Sequence, residues 1–160
     1  MQNQIKTKTR LAFIQFIFST FFSNKEIIDD SDDFQNYFYK LSVPSITKDK
    51  ETIINFNKNY FNKLTLIFHE FIKKNDVELI IDPLIEFKRK YDNWNTINKS
   101  IILAIFSEIE ITKNEKIKIM INDYFNISKS LVTKNEIGMI NAITDKYINE
   151  KKNIRKNYNQ

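Results

Sequence analysis

One glycine and two prolines in 160 residues leave this chain few places to turn tightly. Sheet proteins depend on short turns whose backbone favours glycine, so the scarcity directs the chain toward helices. Ile and Phe are also good strand formers, and the decision therefore rests on spacing. Leu11, Ile14, Phe18 and Phe21 or Phe22 recur at helical intervals. So do Ile117, Met120, Ile121, Tyr124, Ile127 and Leu131, and so do Ile137, Ile140, Thr144 and Tyr147. Start signals agree. Thr112 with Glu115 and Thr133 with Glu136 each fit a capping box, and Asn75-Asp76-Val77-Glu78 is a weaker version.

These patterns predict helices near 8–22, 32–41, 49–73, 76–91, 97–110, 114–130 and 135–150. The third is long enough to be two. Pro83 should kink or end the fourth. Residues 42–48, with Pro44, read as a linker, and the acidic run Glu26, Asp29, Asp30, Asp32 and Asp33 as a solvated loop. The expectation is one all-α domain over 1–160 with about seven helices, residues 151–160 forming a flexible basic tail.

Composition narrows function mainly by exclusion. There is no cysteine and a single histidine, His69, which removes disulfides, cysteine-held clusters and histidine-rich metal sites. It also removes a conventional nucleophile–histidine pairing, and His69 reads as a half-buried helix residue. Neither a catalytic site nor a cofactor is expected. The start of the chain, charged and then apolar, imitates a secretion signal, but Gln15 interrupts it and no small-residue cleavage site follows. No apolar run reaches the ~20 residues of a membrane span. The expectation is a cytoplasmic protein without a membrane partner. Net charge is +5, which favours an anionic partner. That argument is discounted because Ile, Lys and Asn make up roughly two residues in five, far above ordinary usage.

The final third carries more. An Ile-Leu-rich segment ends on Glu108 and is followed by Ile121-Asn122-Asp123-Tyr124, then Ser128-Lys129-Ser130, then Gly138-Met139-Ile140-Asn141-Ala142-Ile143-Thr144-Asp145-Lys146. Earlier, residues 6–19 hold Lys8, Arg10, Ala12, Gln15 and Phe18 in order. Tyr60-Phe61-Asn62-Lys63-Leu64, then Ile80-Ile81-Asp82-Pro83-Leu84 with Trp94, lie between. This ordered set resembles the NusB family of bacterial transcription antitermination factors, over most of the chain except residues 24–55. The sequence departs from the family pattern at Leu103, Ser107, Met139 and Ala142. Its connection from Trp94 to Ile101 is shortened, and its N-terminal basic cluster is thinned to Lys6, Lys8 and Arg10.

The resemblance implies two packed three-helix bundles and no catalysis. It implies binding to the boxA sequence of nascent ribosomal RNA transcripts together with NusE, a small-subunit ribosomal protein, within the RNA polymerase antitermination complex. It also allows a homodimer that pairs through the RNA face.

The residues sort accordingly. Lys6, Lys8 and Arg10 form an acid-free basic group near a helix start, suited to neutralising phosphates. Gln15 and Phe18 lie one turn apart, where an amide can bond a base edge and a ring can stack on a base. This helix carries Phe13, Phe16, Phe21 and Phe22 as well, too many to bury on one stripe, so one or two should be exposed. Lys134 and Asn135 open the last helix, where free N–H groups suit a phosphate. By resemblance Asn98, Lys99 and Met139 lie toward NusE. Asn141 and Asp145 read as ties within the fold, and Glu108 as a carboxylate that pairs with lysine or caps a helix. The competing reading is a helical protein-interaction module without RNA binding. An enzyme-linked module of the kind fused to RNA methyltransferases would need a glycine-rich cofactor loop and a cysteine, and this sequence has neither.

Overall fold

The computed structural model describes residues 3–23, 31–35 and 56–158, the last four by backbone alone. No strand occurs among them. The predicted linker at 42–48, the parts of predicted helices at 36–41 and 49–55, and the acids at 26–30 lie outside the described residues.

Helix α1 spans Asn3–Thr20 and starts five residues before the predicted start at residue 8. Thr9 donates its hydroxyl to the carbonyl of Ile5, one turn back. Residues 31–35 form a further helical turn. Helix α2 (Lys58–Lys74) begins at Asn57, whose side chain accepts the Tyr60 N–H. It ends on Lys73 and Lys74, cations placed against the negative end of the helix dipole.

The predicted helix 76–91 is much shorter. Helix α3 covers only Val77–Ile81, capped by Asp76. Pro83 then sits in the first turn of a 3-10 segment, Asp82–Leu84. A second 3-10 turn covers Tyr91–Asn93. Proline lacks the N–H that would have continued the helix, so the chain leaves it there.

Helix α4 (Thr96–Ile109) is the axis of the molecule. Asn98 and every residue from Ser100 to Ile109 are buried, as expected for a helix that is apolar all round. It packs against α1 and α2 on one side and against α5 (Asn114–Ser128) and α6 (Lys134–Tyr158) on the other. One group is thus α1, the 31–35 turn and α2; the other is α4, α5 and α6. The first is joined by rings: Phe16 meets Phe34 at 5.6 Å and Phe61 at 5.8 Å, and Phe13 meets Phe68 at 6.2 Å. In the second, Phe106 of α4 stacks on Tyr147 of α6 at 3.9 Å. Edge-on and offset ring pairs of this kind add about 0.5–1.5 kcal/mol beyond burial.

Three local expectations are corrected. Thr112 does not cap α5; its hydroxyl bonds back to the Glu108 carbonyl at 2.6 Å, and Lys113 precedes the helix without a side-chain cap. Thr133 does cap α6, accepting the Glu136 N–H at 3.3 Å. The Glu136 carboxylate, however, takes the Thr133 hydroxyl proton rather than a backbone one. Residues 151–158 are helical rather than a flexible tail. Lys151 ion-pairs with Glu110 and lies 5.2 Å over the Tyr147 ring, which holds the extension of α6 to the body.

Candidate nucleic-acid surface

Helix α1 is buried on most of its circumference: Thr9, Arg10, Ala12, Phe13, Ile14, Phe16 and Ile17 face inward. At 100° per residue, Gln4, Lys8, Leu11, Gln15 and Phe18 fall in one line on the opposite side, and Phe22 follows in the turn just past the helix end. Five of these six are exposed and Leu11 is half-buried. The Phe18 and Phe22 rings lie 5.3 Å apart with planes tilted by 52°, and they are 37 % and 71 % exposed. This outer edge therefore presents a cation at Lys8, an amide at Gln15 and a pair of rings, in that order. Phe21, 42 % exposed, flanks the ring pair. Sequence spacing singled out Lys8, Gln15 and Phe18; Phe22 joins them through its ring contact with Phe18.

Lys6 is half-buried and does not share the Lys8 edge, since residues two apart point to opposite sides of a helix. Arg10 is a correction. It is 8 % exposed and lies at the centre of a buried polar cluster, not on the surface. Its Nη2 donates to Glu108 Oε1 at 2.7 Å and its Nε to Oε2 at 3.1 Å. Its Nη1 donates to Asp123 Oδ2 at 2.8 Å. The Tyr60 hydroxyl accepts from Nη2 and itself donates to Glu108, and the Tyr124 hydroxyl donates to the other Glu108 oxygen. Thr7 donates to Asp123 at 2.8 Å. Four helices meet here: α1, α2, α4 and α5.

The physical reason is that Glu108 sits on the fully buried face of α4, 2 % exposed. A lone carboxylate there would cost several kcal/mol, so it must be paired and hydrogen-bonded. Arg10 does both with a planar fork that a lysine lacks. Burial alone would lower the Arg10 pKa, but the hydrogen bond and charge of Glu108, with Asp123, raise it above its ordinary value. Burial first, and Glu108 second, push the Tyr60 and Tyr124 phenols upward. Arginine is thereby spent on locking α1 in place.

The remaining expected residues divide. Lys134 and Asn135 are exposed in the first turn of α6, as placed by the sequence. That helix packs mainly on α4. Asn98 is a correction: it is 5 % exposed on the buried part of α4 and presents nothing to a partner. Lys99 is half-buried; its Nζ donates to the Asp92 carbonyl at 2.9 Å and sits 5.2 Å over the Tyr91 ring. Met139 is half-buried and packs on the core. Asn141 and Asp145, read as internal ties, are both exposed. His69 is half-buried on α2, as read from sequence. Among the described residues no group of three or more His, Asp or Glu side chains is placed to hold a metal, and no helix is long and apolar enough to cross a membrane.

Fold and surface together define an all-helical scaffold whose first helix is clamped from behind by a buried ion cluster and displays a polar and aromatic edge in front. No known protein-family model matches the chain. Individual relatives do. The chain is similar to the transcription antitermination protein NusB of Rickettsia bellii, with 28 % identity over 152 residues, covering 94 % of this chain and 95 % of that protein. NusB of Rickettsia felis is 24 % identical over 95 % of this chain and 97 % of its own length. NusB of Rickettsia rickettsii is 26 % identical over 92 % and 95 %. The similarity to these NusB proteins thus runs nearly the full length of both chains.

Proposed function

We propose that the chain acts in transcription antitermination as an RNA-binding adaptor, taking up boxA-type single-stranded RNA along the outer edge of α1 together with NusE. The full-length similarity to NusB proteins supports the antitermination role. The observation that carries the RNA reading is the exposed line of Lys8, Gln15 and Phe18 on a helix held rigidly from behind, with Phe22 against Phe18 in the turn that follows. Lys8 neutralises a backbone phosphate, and Lys6, on another side of the helix, adds charge at longer range. Gln15 bonds an unpaired base edge, and the Phe18–Phe22 pair stacks on bases splayed from the strand. Lys134 and Asn135, at the N-terminus of α6, take a further phosphate. Arg10 takes no RNA phosphate; it positions the helix that does. On the protein side, Lys99 and Met139 remain as contacts for NusE, and Asn98 is withdrawn because it is buried. The protein works in the cytoplasm, within the RNA polymerase complex. A homodimer formed through the α1 edge would cover Phe18 and Phe22 and compete with RNA.

The competing reading, a protein-interaction module without RNA binding, draws on a groove of about 440 Å³ between the end of α2, α3 and the extension of α6. Leu79 and Ile154 line it and are 74 % and 54 % exposed. One experiment separates the two: binding of labelled boxA-like RNA, with and without NusE, across a salt series. The adaptor reading expects binding that NusE strengthens, that salt weakens steeply and that Lys8→Ala weakens. Absence of RNA binding in low salt, with and without NusE, would overturn it.

A further inference from the structure

Between α3 and α4 the chain makes an excursion that the fold holds tightly but does not use. Its two ends are buried: Leu84 and Ile85 on one side, Tyr91 and Trp94 on the other, each at most 6 % exposed. The backbone between them is tied at several points. The Tyr91 N–H donates to the Asp82 carboxylate at 2.9 Å, and the Trp94 indole N–H donates to the Arg89 carbonyl at 3.2 Å. Lys146 of α6 donates to the Leu84 carbonyl at 3.3 Å and pairs with Glu86 at 2.6 Å. Lys99 of α4 holds the Asp92 carbonyl. The loop is thus fixed to two helices.

What it displays is a run of five exposed residues, Glu86, Phe87, Lys88, Arg89 and Lys90. Phe87 is 41 % exposed, although a ring of this size is normally buried unless a surface site needs it. The Lys88 and Arg89 side chains make no hydrogen bond or ion pair among the described residues. The neighbouring acids are engaged at the loop's foot. Glu86 is neutralised by Lys146, and Asp82 accepts the Tyr91 N–H. A rigid base carrying an exposed ring beside three cations is costly to keep for folding alone, and conformationally fixed loops are where proteins place binding groups.

We propose that the 86–90 loop is a second contact for single-stranded nucleic acid, separate from the α1 edge. An arginine fork grips a phosphate through paired hydrogen bonds, lysines add sequence-independent charge, and a ring gives a base a stacking surface. An acidic protein surface would satisfy the cations but leave Phe87 without a role, which is why a polynucleotide is favoured. The choice of ligand rests on the RNA-binding reading above, whereas the residues lie on other elements, so either can fail alone.

The test uses the full chain and a labelled single-stranded RNA that carries a boxA-like element with a long flank. Affinity is measured across a salt series for wild type, for Lys88→Ala with Arg89→Ala, for Phe87→Ala and for Lys8→Ala. Each contributing cation accounts for about 0.7 of the salt slope on a single strand, so the double variant should flatten the slope by about 1.4. Phe87→Ala should weaken binding by at least about fivefold. The charge-conserving pair Lys88→Arg with Arg89→Lys should keep the slope. All four positions are exposed, so thermal melts report whether folding is intact. Loop variants that bind like wild type overturn the proposal and point instead to an acidic protein, whatever Lys8→Ala does. Weakening by the loop variants alone supports the loop and sinks the α1 reading. Wild-type protein that ignores the RNA overturns both.

Discussion

Lys8 and Arg10 stand two residues apart on the same helix with the same charge, and the fold uses them in opposite ways. Lys8 points to solvent on the outer edge of α1; Arg10 points inward and is consumed by Glu108 and Asp123. The inner face trades its cation for rigidity, and the outer face keeps its cation available. A basic cluster in a sequence is therefore not one object. Two hundred degrees of helix rotation separate a solvent-facing cation from a structural tie.

The contrast breaks most visibly at Glu108. Glu108→Gln leaves Arg10 charged and buried with Asp123 as its only carboxylate, and should cost about 3–5 kcal/mol in urea or thermal unfolding. A loss below about 1 kcal/mol would mean that the cluster does not hold α1. Replacing Arg10 by Met as well should cost less than the two single changes added together, with coupling of about 0.5–3 kcal/mol, because the orphaned charge is then gone.

On the outer face the expected effects fall on binding. Phe18→Ala and Phe22→Ala should each cost about 1–3 kcal/mol in RNA affinity, one stacked base apiece. Their unfolding midpoints should stay near wild type; a large drop in stability would place the rings in the core instead. The inner face also carries a pH dependence. Tyr60 and Tyr124 have folded pKa values raised above the unfolded value of about 10. Below pH ~10 both states hold these protons and stability is unaffected; above it the unfolded chain ionises first. Stability should then fall by up to about 1.4 kcal/mol per pH unit for each tyrosine. Tyr60→Phe should shallow that decline, and an unchanged slope would contradict the burial of its hydroxyl against Glu108. The smallest effect is at Lys8. Lys8→Ala should alter stability by less than about 0.5 kcal/mol. It should reduce the salt slope of RNA binding by about 0.7.

Helix content was legible because it is a local property. Sparse glycine and proline, with apolar spacing near 3.6, placed 97–110 and 114–130 within two residues of the observed Thr96–Ile109 and Asn114–Ser128. The lone glycine proves the point from the other side: Gly138 lies inside α6, exposed, where an added methyl would meet nothing within 4 Å. Boundaries were less legible where two local signals competed. The apolar spacing through 76–91 reads as one helix, but Pro83 and the burial of Tyr91 and Trp94 bend the chain away. Thr112 has the spacing of a cap, yet the carbonyl of Glu108 was nearer to hand.

By itself, the sequence determined that this chain is helical, that it lacks the residues for disulfides or histidine-based metal sites, and that a basic, phenylalanine-rich helix leads it. The alternation of buried and exposed positions on one helix follows from its pitch, and pitch is readable from residue order. Which face turns inward is set by other helices, and only the tertiary structure decided that. It brought Glu108 and Asp123, 98 and 113 positions away, up to Arg10, and left Lys8 in water. A buried charge is tolerable only beside its counter-charge, and no spacing rule on α1 could supply the partner that α4 carries.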